Sequence, residues 1–100
     1  MTGIEVISAE RQRQIEVEGF DAAHDDTHVN GEIADFACCY ARAAVYNILG
    51  LYAPKVPLFQ ACPWPDGFKP SEDPIRNLAK AGALIAAEID RLQRKRLKDK

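Results

Sequence analysis

Two carboxylates at the start of an apolar stretch have a spacing that suits metal binding. Glu32 and Asp35 are three residues apart, so a helix over this stretch places both side chains on one face. Carboxylate oxygens are the hard ligands that Mg²⁺ prefers in proteins. One interpretation of the pair is therefore a magnesium site.

Two histidines stand just upstream, on either side of two further acids. His24 and His28 are four residues apart, a spacing that suits zinc only when a helix holds both rings. The intervening Asp25 and Asp26 favour a loop, so we expect a polar loop here, with no metal or other cofactor bound. The sequence contains no HExxH motif, glycine-rich phosphate loop or Gly-x-Ser-x-Gly elbow.

The carboxylate pair lies in a segment that resembles a known metal-binding helix. Glu32-Ile33-Ala34-Asp35-Phe36-Ala37-Cys38-Cys39-Tyr40 is similar to that of the all-α nucleotide pyrophosphohydrolases related to MazG. That family also carries Glu-Glu-x-x-Glu on the preceding helix, where this chain has Glu10, Glu16 and Glu18 at other spacings. A Mg²⁺-dependent pyrophosphohydrolase is therefore one alternative function. A phage protein that sequesters a nucleotide without hydrolysing it is another.

Charge is divided unevenly along the chain, although the net charge is only −2. The last ten residues carry six bases and one acid, without interleaved aromatics, and we expect no direct binding of nucleic acid. Residues 16–35 contain no Lys or Arg, and this uneven division indicates a partner surface. The predicted contact residues are the seven acids of that stretch: Glu16, Glu18, Asp21, Asp25, Asp26, Glu32 and Asp35.

Composition places the chain among ordinary folded proteins and narrows its setting. With 47% apolar and 28% charged residues in a length of 100, it predicts one domain over residues 1–100. No apolar run approaches a membrane span, and the start of the sequence does not resemble a signal peptide. We therefore expect a cytoplasmic protein. Its three cysteines are predicted to be free thiols because no pair has the spacing of a zinc or redox motif.

The pattern predicts an all-α fold, a three-helix bundle with a proline-rich loop between the second and third helices. The first helix is expected over 4–18, with a polar middle that stays outside the core, and Gly19 ends it. The second is expected over 31–49 and is apolar almost all round, which suits either the centre of a monomer or a dimer seam. Residues 50–70 hold five prolines, and Trp64 and Phe68 there are either core or contact residues.

The third helix has the clearest signals. Asp73 is a natural N-cap, and Pro74 suits the first helical position because its missing N–H is not needed there. Apolar residues then alternate three and four apart, which predicts a packing seam along one face. The seam consists of Ile75, Leu78, Gly82, Ile85, Ile89 and Leu92.

Several segments together carry a resemblance to known proteins. They are Glu10-Arg11-Gln12-Arg13-Gln14, Glu18-Gly19, His24-Asp25-Asp26-x-His28, Gly31-Glu32 and Lys80-Ala81-Gly82-Ala83-Leu84-Ile85-Ala86-Ala87-Glu88-Ile89-Asp90-Arg91. These segments resemble a family of small proteins that phages, prophages and mobile elements encode. In its length, its helical character and this link to mobile elements, the chain also resembles the sixth family of type I-F anti-CRISPR proteins.

The resemblance implies an inhibitor that is not an enzyme and that acts in the cytoplasm of an infected bacterium. Its partner would be the type I-F CRISPR surveillance complex (the Csy complex), bound near the large subunit and an adjacent backbone subunit. The protein would then block target DNA binding or duplex splitting. Acidic residues could pair with the bases of a DNA-binding cleft, which is compatible with this expectation.

Overall fold

The structure is a computed structural model that describes residues 1–51 and 62–100. Within these ranges it is all-helical and has no strand, so the predicted all-α class is confirmed. It contains four α-helices where the sequence predicted three. They are α1 (Gly3–Glu16), α2 (Ala22–Asp25), α3 (Glu32–Ile48) and α4 (Pro74–Lys98), and a 3₁₀ turn spans Pro65–Gly67.

The ends of the long helices follow the local signals in the sequence. Thr2 and Glu5 form a reciprocal capping box at the start of α1, and Gly19 takes the left-handed conformation (φ 75°) after its end. Asp73 caps α4 by accepting a hydrogen bond from the Ile75 amide at 2.9 Å. Pro74 occupies the first turn of α4, as predicted.

The additional helix, α2, lies where the sequence predicted only loop. Asp21 accepts a hydrogen bond from the backbone N–H of His24 at 2.9 Å, and this cap begins the short helix. The prediction was wrong because it treated this acidic stretch as loop throughout, whereas Asp21 is an N-cap whose carboxylate also stabilises the positive N-terminal end of the helix. The short helix fixes the direction of His24 relative to the rest of the fold.

The core lies between α3 and α4, which run antiparallel. Near one end, Asn77 of α4 donates to the side chain of Asn47 at the end of α3, at 2.7 Å. Further along, Phe36 of α3 and Leu84 of α4 belong to the same buried cluster. The whole cluster comprises Ile33, Phe36, Ala37, Cys39, Tyr40, Ala43, Phe68, Ala81, Leu84 and Ala87.

The apolar seam predicted on α4 faces outward rather than into the core. Leu84 is only 3% exposed, but its neighbour Ile85 is 51% exposed, because successive helical residues are about 100° apart around the axis. The inner face instead carries small alanines, which allow α3 to approach closely. The exposed residues are Ile75, Leu78, Ile85, Ile89 and Leu92.

The sixth seam position, Gly82, contacts α1. A Cβ atom at Gly82 would lie 2.6 Å from Cδ1 of Ile7, so the missing side chain leaves room for the isoleucine. The polar middle of α1 is then drawn inward, and Glu10 and Gln14 are buried. The polar middle of α1 contributes no residue to the core cluster, as predicted, but two of its side chains are buried rather than solvated.

The proline-rich segment is described in part. Pro54 and Pro57 lie outside the described residues. Phe68 is buried in the core cluster beside Tyr40, whose hydroxyl accepts a hydrogen bond from the Lys69 amide at 3.1 Å. Trp64 is half-buried at the edge of the same cluster, so the two aromatic residues differ in their exposure.

Candidate functional site: an aromatic cleft with a cationic end

A continuous run of aromatic rings links α2, α3 and the segment before α4. The rings of Phe20 and His24 are stacked, with centroids 4.8 Å apart and planes 18° apart. His24 contacts His28, and His28 contacts Trp64, at centroid distances of 4.9 and 4.8 Å. Trp64 then meets Phe36 edge-on at 5.1 Å. Such edge and stacked pairs hold the rings in defined positions.

Four of these rings surround a cleft of about 590 Å³, called here the aromatic cleft. Its walls include Phe20, His24, Phe36 and Trp64, with Pro63 and Pro65 beside the tryptophan. Ile33, Leu84 and Ala87 supply an apolar floor. This volume lies in the usual range for small-molecule sites, which combine apolar walls with a few polar groups.

The His24 ring is oriented by a buried carboxylate. Nδ1 of His24 lies 2.9 Å from the carboxylate of Asp25, which is 2% exposed. Arg11 lies 3.4 Å from the same carboxylate and also donates to the Phe20 carbonyl at 2.9 Å. Asp25 thereby favours the tautomer with hydrogen on Nδ1 and leaves Nε2 to interact elsewhere.

A smaller, more polar cavity of about 70 Å³ adjoins one end of the cleft. Lys80 lines this cavity, donates to the Lys69 carbonyl at 2.8 Å and lies 5.2 Å from the Tyr40 ring. Burial lowers the pKa of Lys80. The buried Oε1 of Gln14 has no hydrogen-bond partner within residues 1–51 and 62–100.

The charges around this polar end leave it net positive. The two acids, Glu10 and Glu18, both contact Arg13, at 2.8 and 3.0 Å, and Glu10 also contacts Arg76 at 2.7 Å. The ammonium groups of Lys69 and Lys80 are additional positive charges. The surplus of cations suits an anionic group, and we call this region the cationic end; it comprises Arg13, Lys69, Lys80 and Arg76.

The seven predicted contact acids do not form one surface of unengaged carboxylates. Asp25 is buried and faces Arg11 and His24, so its carboxylate is withdrawn from any partner, and that assignment is corrected. Asp26 pairs with Arg94 at 2.8 Å, and this hydrogen bond lowers the pKa of Asp26. The remaining acids are exposed or partly exposed: Glu16, Glu18, Asp21, Glu32 and Asp35.

Four of these five acids have local partners of their own. Glu18 pairs with Arg13, Asp21 caps α2, Glu16 accepts a hydrogen bond from Gln12 at 2.6 Å, and Glu32 accepts one from the Asn30 amide. Arg13 offsets the charge of Glu18, whereas these hydrogen bonds to the other three acids orient their carboxylates without neutralising them.

Glu32 and Asp35, the predicted magnesium ligands, lie on the first turn of α3. Glu32 accepts a hydrogen bond from the Asn30 amide and lies 3.5 Å from His28. Backbone hydrogen bonds, first of all, hold the pKa of Glu32 below its ordinary value. In the part of the chain that the structure describes, no three His, Cys, Asp or Glu side chains group as a metal site. The pyrophosphohydrolase function stays a prediction.

The three cysteines are free, as predicted. Cys38 is exposed and Cys39 is buried. Burial, and next the neighbouring Cys62 thiol, raises the pKa of Cys39 to about 12. The Cys39 thiol is therefore protonated at neutral pH and behaves as a small core side chain.

Sequence reasoning missed Phe20, Lys69 and Lys80 as site residues. One signal was present, because Phe20, His24 and His28 follow each other at four-residue intervals, a spacing that can bring rings together around a helical turn. The cationic end had no comparable signal, because its members come from α1, α4 and the segment between α3 and α4.

Two wider findings complete the description of the site. Within the described residues, every helix is too short or too polar to span a membrane. Comparisons with models of protein families, with curated proteins and with solved structures found no match to this chain.

Proposed function

We propose that this protein binds a small molecule that joins a planar ring to an anionic group, with a nucleotide as the substance class that fits best. The observation that carries the proposal is that the aromatic cleft adjoins the cationic end. Six residues line both cavities: Glu18, whose carboxylate pairs with Arg13, and Phe20, Phe36, Gly67, Lys69 and Leu84. One ligand can therefore contact aromatic walls and lysines together.

The aromatic part of the cleft supports the ring of such a ligand. Phe20, His24 and Trp64 are each only partly buried, so their faces and edges remain accessible. Stacking on an aromatic side chain contributes about 1–3 kcal/mol for a nucleobase. Nε2 of His24 can add a hydrogen bond at the ring edge, because Asp25 already engages Nδ1.

The cationic end supports the anionic part. Lys80 is partly desolvated, and ionic hydrogen bonds gain strength when water is excluded. The unpartnered Oε1 of Gln14 can accept a hydrogen bond from a hydroxyl or amino group of the ligand. Binding without hydrolysis requires no metal, and the proposal assigns none.

Isothermal titration calorimetry with AMP, GMP, CMP and UMP tests the proposal, with adenosine and ribose 5-phosphate as half-ligands. At least one nucleotide is expected to bind, and each half-ligand more weakly, because each contacts only one part of the site. Lys80→Gln is expected to lower nucleotide affinity about tenfold through a lost charge-assisted hydrogen bond. The matched control Lys100→Gln, at an exposed position outside the cleft, leaves affinity unchanged. Equal affinity in the Lys80→Gln variant would contradict the proposed site.

A second candidate is the docking inhibitor of the type I-F surveillance complex that the sequence resemblance implies. The exposure of Glu16, Asp21 and Asp35 favours it, because these carboxylates can reach a basic partner. A gel shift of target DNA by the purified complex tests it. This protein is expected to abolish the shift and to comigrate with the complex, and Glu16→Lys with Asp35→Lys weakens the effect. An unaltered DNA shift without comigration would contradict this second function, whatever the nucleotide titrations show.

A further inference from the structure

The outer face of α4 carries an apolar stripe that the fold leaves exposed. We call it the outer stripe, and its side chains are 40–63% exposed. From its first to its last residue it extends for roughly 25 Å along the helix. Its members are Ile75, Leu78, Ile85, Ile89 and Leu92.

The spacing of the outer stripe is that of a helix-pairing seam. Its apolar residues are three or four positions apart, and Gly82 continues this spacing without a side chain of its own. The side chain of Ile7 from α1 packs against Gly82 and occupies the space that a side chain there would take. The inner face of α4 is already used, since Leu84 and Ala87 are in the core. The fold of a single chain therefore does not need the outer stripe for its core.

We propose that the outer stripe binds a second copy of this chain, with the two α4 helices antiparallel. A two-fold axis midway along the stripe places every apolar position opposite another one. Ile75 then faces Leu92 of the second copy, Leu78 faces Ile89, and Gly82 with its covering Ile7 faces Ile85. Antiparallel helix pairs commonly pack in this way, with each apolar residue of one helix opposite an apolar residue of the other.

Charge at the two ends of the stripe selects the antiparallel arrangement. Glu72 and Asp73 precede α4, whereas its last turns contain Lys95, Arg96 and Lys98. Antiparallel pairing brings the acidic end of one copy beside the basic end of the other at both ends of the interface. Parallel pairing would place like charges together.

The pairing leaves the aromatic cleft accessible. Leu84 and Ala87 form part of the cleft floor on the inner face of α4, and the outer stripe lies on the opposite face. A dimer would therefore carry two clefts that point away from the shared interface. The proposal is independent of the cleft ligand, since no residue of the outer stripe lines the cleft.

Sedimentation velocity with three proteins tests the pairing. The unaltered chain is expected at twice its 11.1 kDa mass, and Ile85→Asp at the monomer mass with an unchanged helical circular dichroism spectrum. The control Leu97→Asn removes an exposed leucine outside the stripe without adding a charge to the basic end and is expected to stay dimeric. A monomeric unaltered chain at concentrations approaching millimolar, or a dimeric Ile85→Asp variant, would overturn the proposal.

A charge exchange tests the orientation. Glu72→Lys is expected to weaken the dimer about tenfold at low salt, because the basic ends then oppose each other. Adding Arg96→Glu on the same chain is expected to restore the affinity; Arg96 is chosen because Lys95 already pairs with Asp99 at 2.7 Å. An unchanged dimer affinity in the single variant would overturn the antiparallel assignment.

Discussion

Replacing Asn77 with alanine is expected to lower the free energy of unfolding by about 3 kcal/mol. Asn77 is completely buried, and its amide joins the end of α3 to the start of α4. It donates to Asn47 Oδ1 at 2.7 Å and to the Ser71 carbonyl at 2.8 Å, and it accepts from the Ser71 amide at 2.8 Å. The alanine variant would leave the partly buried groups of Asn47 and Ser71 without these partners.

Urea denaturation followed by circular dichroism measures this effect, and Gln93→Ala is the matched control. Gln93 is an exposed amide on the same helix, so its removal is expected to change the free energy of unfolding by less than about 0.5 kcal/mol. Equal stabilities of the two variants would mean that the Asn77 network does not join the helices.

Glu10→Gln is expected to destabilise the fold by about 1–2 kcal/mol at neutral pH, because Glu10 is buried whereas Arg13 and Arg76 stay partly in water. Burial alone would raise the pKa of Glu10, but hydrogen bonds and charge from Arg13 and Arg76 outweigh it and hold the pKa below its ordinary 4.5. The ionised carboxylate therefore stabilises the folded state. The glutamine would leave both guanidinium groups near a neutral amide at the contact between α1 and α4.

The same carboxylate predicts a pH dependence of stability. Because the folded-state pKa is lowered, the contribution is complete above about pH 4.5 and is lost as the pH falls through the lowered folded-state value. When thermal unfolding is measured from pH 7 to pH 3, the unfolding temperature is expected to fall less in Glu10→Gln than in the unaltered chain. Glu16→Gln, at an exposed position on the same helix, serves as the control. An identical fall in unfolding temperature in all three proteins would contradict the role of Glu10.

The sequence predicted where helices begin and end better than which face they bury. Asp73, Pro74 and Gly19 act within their own turn of the chain, Asp73 through its side chain and the other two through their backbone geometry, so their effects do not depend on the rest of the fold. The periodicity of α4 correctly grouped Ile75 to Leu92 on one face. It could not show that the alanine face meets α3, because helix spacing depends on side-chain size across a tertiary contact.

The site was less predictable because its side chains come from distant parts of the chain. Glu10 looked like a solvated residue until Arg76, from α4, was placed beside it. The charge of Asp26 was visible in sequence, but its pairing with Arg94 was not. The stacking of Phe20 on His24 can be predicted from their spacing in the sequence. The contact between Lys80 and Lys69 cannot, because the tertiary fold brings these residues together.

Fluorescence of Trp64 tests the aromatic cleft most directly, because Trp64 is the only tryptophan in the chain and lines the cleft. Titration with the nucleotide that calorimetry ranks first is expected to give a saturable change in emission, as a base approaches the indole. Phe20→Ala, folded by circular dichroism, is expected to bind the same nucleotide more weakly because one wall of the stack is lost. Unchanged emission at every nucleotide concentration would contradict the cleft as a ligand site.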